Sequence, residues 1–152
     1  MILDKLPEMP LRTKWDKVHM RAATLYSELS SAKRLKVGCV IVKDNRIVSI
    51  GYNGMPSGWD NNCEYRFGKY ELDTELKTKK EVLHAETNAI AKIARSNESA
   101  EDSTLYTTHA PCLDCAKLIY QSGITKVFYL DEYRTNEGLL FLGKCGIMIK
   151  QL

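Results

Sequence analysis

His84-Ala85-Glu86-Thr87-Asn88-Ala89-Ile90 and Ala110-Pro111-Cys112-Leu113-Asp114-Cys115 are the two stretches around which the rest of this chain arranges itself. Each is expected to open a helix. His84 and Asn88 share one helical face, while Ala85, Ala89 and Ile93 form a neighbouring apolar row over residues 84 to 95. Pro111 suits a first helical turn, where its missing N–H costs nothing, and Gly123 marks the stop. Two adjacent helix N-termini would bring His84, Cys112 and Cys115 together, and their positive ends favour thiolates over thiols. One imidazole and two thiolates fill three positions of a tetrahedral zinc shell and leave the fourth for water. Glu86 stands two residues past the histidine, within reach of that water, which ionises near pH ~7 on zinc. A redox pair is the alternative for a lone C-x-x-C, but it assigns no task to His84 or Glu86.

Outward from these motifs, the chain alternates elements. Trp15, Val18, Ala22, Leu25 and Leu29 recur at three- and four-residue spacing, which predicts an amphipathic helix over 13 to 30, with Thr13 as N-cap. His19 falls between its apolar rows and is expected to be a packed core histidine. Val37–Val42 is an apolar, β-branched strand, Asp44-Asn45 a turn, and Arg46–Tyr52 the returning strand. Residues 54 to 82 contain Gly54, Pro56, Gly58, Asn61 and Asn62 and are too long for a structureless loop, so an insertion covering a site or an interface is expected. Strands follow at Thr104–Thr108 and Lys126–Leu130, then a short helix capped by Asn136 and running to Leu142, and a last strand at Ile147–Ile149. The order implies an α/β domain spanning 1–152: a mixed sheet of about five strands with helices on both faces.

The chain has 152 residues and a net charge of +3 from 22 basic and 19 acidic side chains. That excess suits a phosphate-bearing small molecule better than a nucleic-acid strand. Five cysteines without a signal-like leader point to a reducing, cytoplasmic setting, and no apolar run approaches the ~18 residues of a membrane span. Cys39 reads as a small apolar residue in a buried strand. Cys63 and Cys145 are left over, with no four-ligand set for a second zinc.

H-x-E followed by P-C-x-x-C is the signature of zinc nucleobase deaminases. Gly51-Tyr52-Asn53-Gly54-Met55-Pro56-Ser57-Gly58, the two zinc stretches continued to Ile119, and Gln121-Ser122-Gly123-Ile124 closely resemble zinc-dependent deoxycytidylate (dCMP) deaminases of the cytidine deaminase-like superfamily. The resemblance runs from about Val37 to Tyr133. It implies a three-layer α-β-α fold and hydrolytic conversion of dCMP to dUMP, a precursor of thymidylate. His84, Cys112 and Cys115 would hold Zn²⁺, and Glu86 would shuttle protons. Asn53 would grip the sugar or phosphate; its bland alternative is a turn residue. Arg34 would meet the 5′-phosphate, Tyr133 would contact the nucleotide, and His109 and Ala110 would lie at the site mouth. The family's members are typically homo-oligomers, often homohexamers, activated by dCTP and inhibited by dTTP. Mg²⁺ would accompany a triphosphate effector, and Tyr52 and Asn53 are candidates for the effector site. Two rival functions are deamination of another base and a non-catalytic nucleotide-sensing module.

Overall fold

The computed structural model describes residues 13–68 and 75–152. Helix α1 (Thr13–Ser27) leads into a hairpin of β1 (Gly38–Lys43) and β2 (Arg46–Tyr52), then a smaller hairpin of β3 (Glu64–Phe67) and β4 (Glu75–Thr78). Helix α2 (Ala85–Ala94), β5 (Thr104–His109), α3 (Leu113–Gln121), β6 (Lys126–Asp131), α4 (Glu137–Lys144) and β7 (Met148–Gln151) complete the chain. The main sheet has the order β2-β1-β5-β6-β7. Pairings β1–β2 and β1–β5 are antiparallel, and β5–β6 and β6–β7 are parallel. This is the mixed five-stranded sheet that the sequence predicts.

Strand periodicity sorts the core into two layers. Cys39, Ile41, Leu105 and Val127 pack on one face with residues of α2, α3 and α4, including Ala85, Ala89, Ile119 and Leu142. Val40, Val42, Tyr106 and Phe128 pack on the other with Met20 and Ala23 of α1. Asp44 and Asn45 have φ of 52° and 59°, the two positive values of a type I′ turn, which matches the twist of the flanking strands.

Helix α1 departs from the expected pattern. The row chosen by periodicity faces outward: Trp15, Val18, Leu25 and Leu29 are 41%, 57%, 63% and 60% exposed, and Ala22 is half-buried. Asp16, His19, Met20 and Ala23 are buried instead. The reason lies across the sheet. Tyr106 Oη donates to Asp16 Oδ1 at 2.7 Å, giving the carboxylate a partner in the core, and the His19 ring packs 5.2 Å from that of Tyr106. The helix also ends at Ser27, before the predicted Ser30, in a series of backbone turns. Thr13's proposed cap involves a side chain outside those described.

Other boundaries move for local reasons. Helix α3 begins at Leu113, because Cys112 takes the N-cap and its sulfur accepts from Cys115 N; Pro111 precedes the helix. Helix α4 runs to Lys144, with Asn136 at the N-cap position but without a side-chain cap bond. The last strand starts at Met148, one residue after Ile147, and runs to Gln151. Within 54–82, β3 pairs antiparallel with β4 as a two-stranded unit.

His19 Nε2 is buried without a hydrogen-bond partner among the described residues, and burial holds the imidazole below its ordinary value of 6.5 against the opposing Asp16 carboxylate. Just below pH 6.5 the unfolded chain therefore binds more protons than the folded one, so stability falls as the pH falls. The groups facing it are Asp16, Trp15 and Tyr106. Denaturation midpoints measured from about pH 7.5 to about pH 5.5 should drop more steeply for the native chain than for His19→Phe. Parallel slopes would assign the acid sensitivity elsewhere.

Candidate active site

The loop before α2 is fixed by a two-way backbone bridge: Gly54 N donates to Leu83 O at 3.1 Å, and Leu83 N donates to Gly54 O at 2.8 Å. This places His84 at the N-cap of α2. Asn88 Nδ2 donates to Tyr52 O and Ser49 Oγ to Ala89 O, tying α2 to β2. Gly51 lets the two backbones touch, since a Cβ there would fall 2.0 Å from Ala85 O. A matching contact seats the second motif. A Cβ on Gly138 of α4 would meet Pro111 O at 2.0 Å and the Cys112 carbonyl group at 2.9 Å. Each ligand-bearing loop is thus pressed against backbone at a glycine.

His84 Nδ1 lies 3.5 Å from Cys112 Sγ and 3.4 Å from Cys115 Sγ. All three donor atoms fall within 4.8 Å of one another, the one such His/Cys/Asp/Glu cluster among the described residues. Bonds of about 2.1 Å to nitrogen and 2.3 Å to sulfur at a tetrahedral angle put those atoms about 3.6 Å apart. The observed spacing fits zinc, and three donors leave one position open. The Cys112 thiol is pulled down to about 4, chiefly by its hydrogen bond with Cys115 and also by His84, while burial opposes. Cys115 is pushed up as the partner that keeps the proton, and Cys112 together with the nearby carboxylates raises His84. Thr87 Oγ1 lies 3.4 Å from Cys115 Sγ, a further polar neighbour for the sulfur.

Glu86 is 4% exposed, and burial raises its carboxyl above the ordinary value of 4.5. Thr107 Oγ1 lies 3.3 Å from Glu86 Oε1 and 3.0 Å from His109 O. The single hydroxyl proton serves both states of the acid. It points to Glu86 when the carboxylate is charged. When Glu86 is protonated, the acid donates to Thr107 and the hydroxyl turns to His109 O.

A cleft over this cluster is lined by Arg34, Asn53, His84, Glu86, His109 and Ala110, with Cys112, Tyr133 and Arg134. Asn53 presents its amide to the loop before β1: Oδ1 accepts from Val37 N and Nδ2 donates to Leu35 O, both at 2.8 Å. Arg34 Nη1 donates to Thr78 Oγ1 at 3.3 Å. His109 sits with Nδ1 3.0 Å from Thr108 Oγ1 and Nε2 3.7 Å from Asp131, and burial lowers its pKa. Tyr52 is half-buried with Lys92 Nζ 5.3 Å over its ring and does not line this cleft. Sequence reasoning passed over Arg134, Thr107 and Glu64. Adjacency to Tyr133 was a signal for Arg134; Thr107 and Glu64 carry none in a single sequence.

A mixed five-stranded sheet with a His/Cys/Cys cluster at two helix starts defines a zinc-binding deaminase-type domain. The chain belongs to the cytidine and deoxycytidylate deaminase family, whose zinc-binding region matches residues 13–131. It is similar to the deoxycytidylate deaminase of Enterobacteria phage T4, 36% identical over 151 aligned positions that cover 78% of each chain. The Saccharomyces cerevisiae deoxycytidylate deaminase is 35% identical over 93% of this chain, which spans 46% of that relative. Among solved structures, the dCMP deaminase of cyanophage S-TIM5, determined with dCMP and dUMP, aligns with a TM-score of 0.84 at 39% identity over 94% of this chain and all of that one. No helix among the described residues is long and apolar enough to cross a membrane.

Proposed function

We propose that this chain hydrolyses the amino group of dCMP, forming dUMP and ammonia from dCMP and water. The observation that carries the reading is the His84/Cys112/Cys115 donor triangle beside buried Glu86, beneath a cleft lined by Arg34 and Arg134. Zinc held by the triangle would supply Lewis acidity that brings a water's pKa from ~15.7 towards ~7. Glu86 takes one proton of the attacking water and delivers it to ring N3, where it stays, as oxygen adds at C4; it then takes the remaining hydroxyl proton and passes it to the departing amine. Its carboxyl, raised by burial, suits a group that must alternate between both states. Thr107 keeps Glu86 oriented in either state.

Arg34 and Arg134, both in the lining of the cleft, would neutralise a 5′-phosphate dianion, for which a planar guanidinium fork is well shaped. Tyr133 offers an aromatic edge to the nucleotide, and His109 and Ala110 border the base. Asn53, with its second amide hydrogen and second lone pair free of the loop bonds, is the candidate for the sugar. Regulation by dCTP and dTTP, with Mg²⁺ on the triphosphate and Tyr52 and Asn53 nearby, is supported by family membership alone. Self-association is supported by the exposed α1 row of Trp15, Val18, Leu25 and Leu29, which is too apolar for a solvated face. We place the chain in the cytoplasm as one domain, with 54–82 as an insertion.

The test is a spectrophotometric assay of dCMP, deoxycytidine and a cytosine-bearing oligonucleotide, with and without dCTP, beside metal analysis. The expected result is highest kcat/KM on dCMP with one zinc per chain. Equal or better turnover of either other substrate would remove this reading, and superimposable curves with and without dCTP would remove the regulation.

A further inference from the structure

The segment between α1 and β1, residues 28–37, belongs to no helix or strand, so its backbone groups must find partners elsewhere. Asn53 holds its far end, at Leu35 O and Val37 N. Its middle is held by Glu64, whose Oε1 accepts from both Lys33 N at 2.8 Å and Arg34 N at 3.2 Å. Glu64 opens β3 and is only 3% exposed. Its other oxygen, Oε2, is buried with no hydrogen-bond partner among the described residues. Burying half a carboxylate unpaired is a cost that stability of the hairpin does not explain.

Arg34 is held at its other end too. The guanidinium donates to Thr78 Oγ1 on β4, and Thr78 is the cross-strand partner of Glu64 in the β3–β4 pairing. One rung of the small hairpin therefore grips both the backbone and the head group of a single arginine that lines the cleft. A free arginine loses much rotamer freedom when it binds an anion; one already held loses less.

We infer that Glu64 and Thr78 are positioning residues that preset Arg34 over the cleft, so that the β3–β4 hairpin sets the preference for a phosphorylated substrate over the bare nucleoside. The inference rests on the dCMP reading and on Arg34 as a phosphate contact. Neither residue touches the reacting atoms.

The readout is the ratio of kcat/KM on dCMP to that on deoxycytidine, measured for the native chain, Arg34→Ala, Glu64→Ala, Glu64→Gln, Thr78→Val and the Arg34→Ala/Glu64→Ala pair. Arg34→Ala should lower the ratio about thirtyfold, the scale of a lost charge-assisted contact. Glu64→Ala should lower it about tenfold, mostly through KM for dCMP, and Thr78→Val about threefold. Glu64→Gln, which keeps an acceptor for both N–H groups, should stay within about threefold of the native ratio. On the Arg34→Ala background, Glu64→Ala should lower the ratio no further, because a residue acting through Arg34 has nothing left to act on. A general structural role would lower both substrates alike and persist on that background, and either result overturns the inference. Should Glu64→Ala fail to fold, Thr78→Val on the two backgrounds makes the same decision. A native chain that does not favour dCMP removes the functional reading itself. An Arg34→Ala ratio equal to the native one leaves dCMP turnover standing and removes Arg34 as the phosphate contact, and this inference with it.

Discussion

Glu86→Gln is expected to lower kcat on dCMP by about 10³-fold, within the span of general acid–base contributions, while zinc content stays at one per chain. Glutamine keeps the shape of the side chain, and its carbonyl still accepts from Thr107, 3.3 Å away in the native chain. What it loses is the ability to carry one proton from water to ring nitrogen and a second from the added hydroxyl to the leaving amine. The loss should therefore fall on kcat more than on KM. Steady-state kinetics beside metal analysis decide the matter. A variant within tenfold of native turnover would mean that another group moves the protons.

Metal removal should have a comparable effect and should reach the fold as well. Chelation, or Cys115→Ser, is expected to abolish measurable turnover; restoring one Zn²⁺ per chain should recover activity in the chelated protein and not in the variant. Cys115 is buried within the core layer shared by α2, α3 and α4, so ligand and core are the same atoms. A ligand present at about 1,000 times its Kd adds about 4 kcal/mol to the folded state, which for a chain of this size corresponds to about 10 °C in Tm. Calorimetry of the apo and zinc-loaded forms measures it. Equal Tm values would mean that the loops carrying His84 and Cys112 are held by backbone packing alone.

What could be seen in the sequence follows from where the determining interactions are local. The β1–β2 hairpin is written in an apolar run, the Asp44-Asn45 turn and a second run. The zinc cluster is written in residue types whose chemistry leaves few other uses. The exposed face of α1 was misjudged because its burial is set ninety residues away: Tyr106 supplies the partner that lets Asp16 enter the core while leucines stay outside. The β3–β4 hairpin escaped notice because its strands are four residues each, and only Glu64 of β3 is buried, so no alternation of apolar residues marks them. Arg34 was found through family likeness; the two side chains that hold it lie thirty and forty-four positions downstream and share no pattern with it.

Helix α4 contributes no donor atom, yet its Gly138 rests directly on the carbonyls of Pro111 and Cys112. A side chain there, even a single methyl, would push on the sulfur-bearing loop and loosen its hold on an ion. A higher zinc concentration would offset such a change, so a helix that supplies no ligand sets how tightly the ion is held.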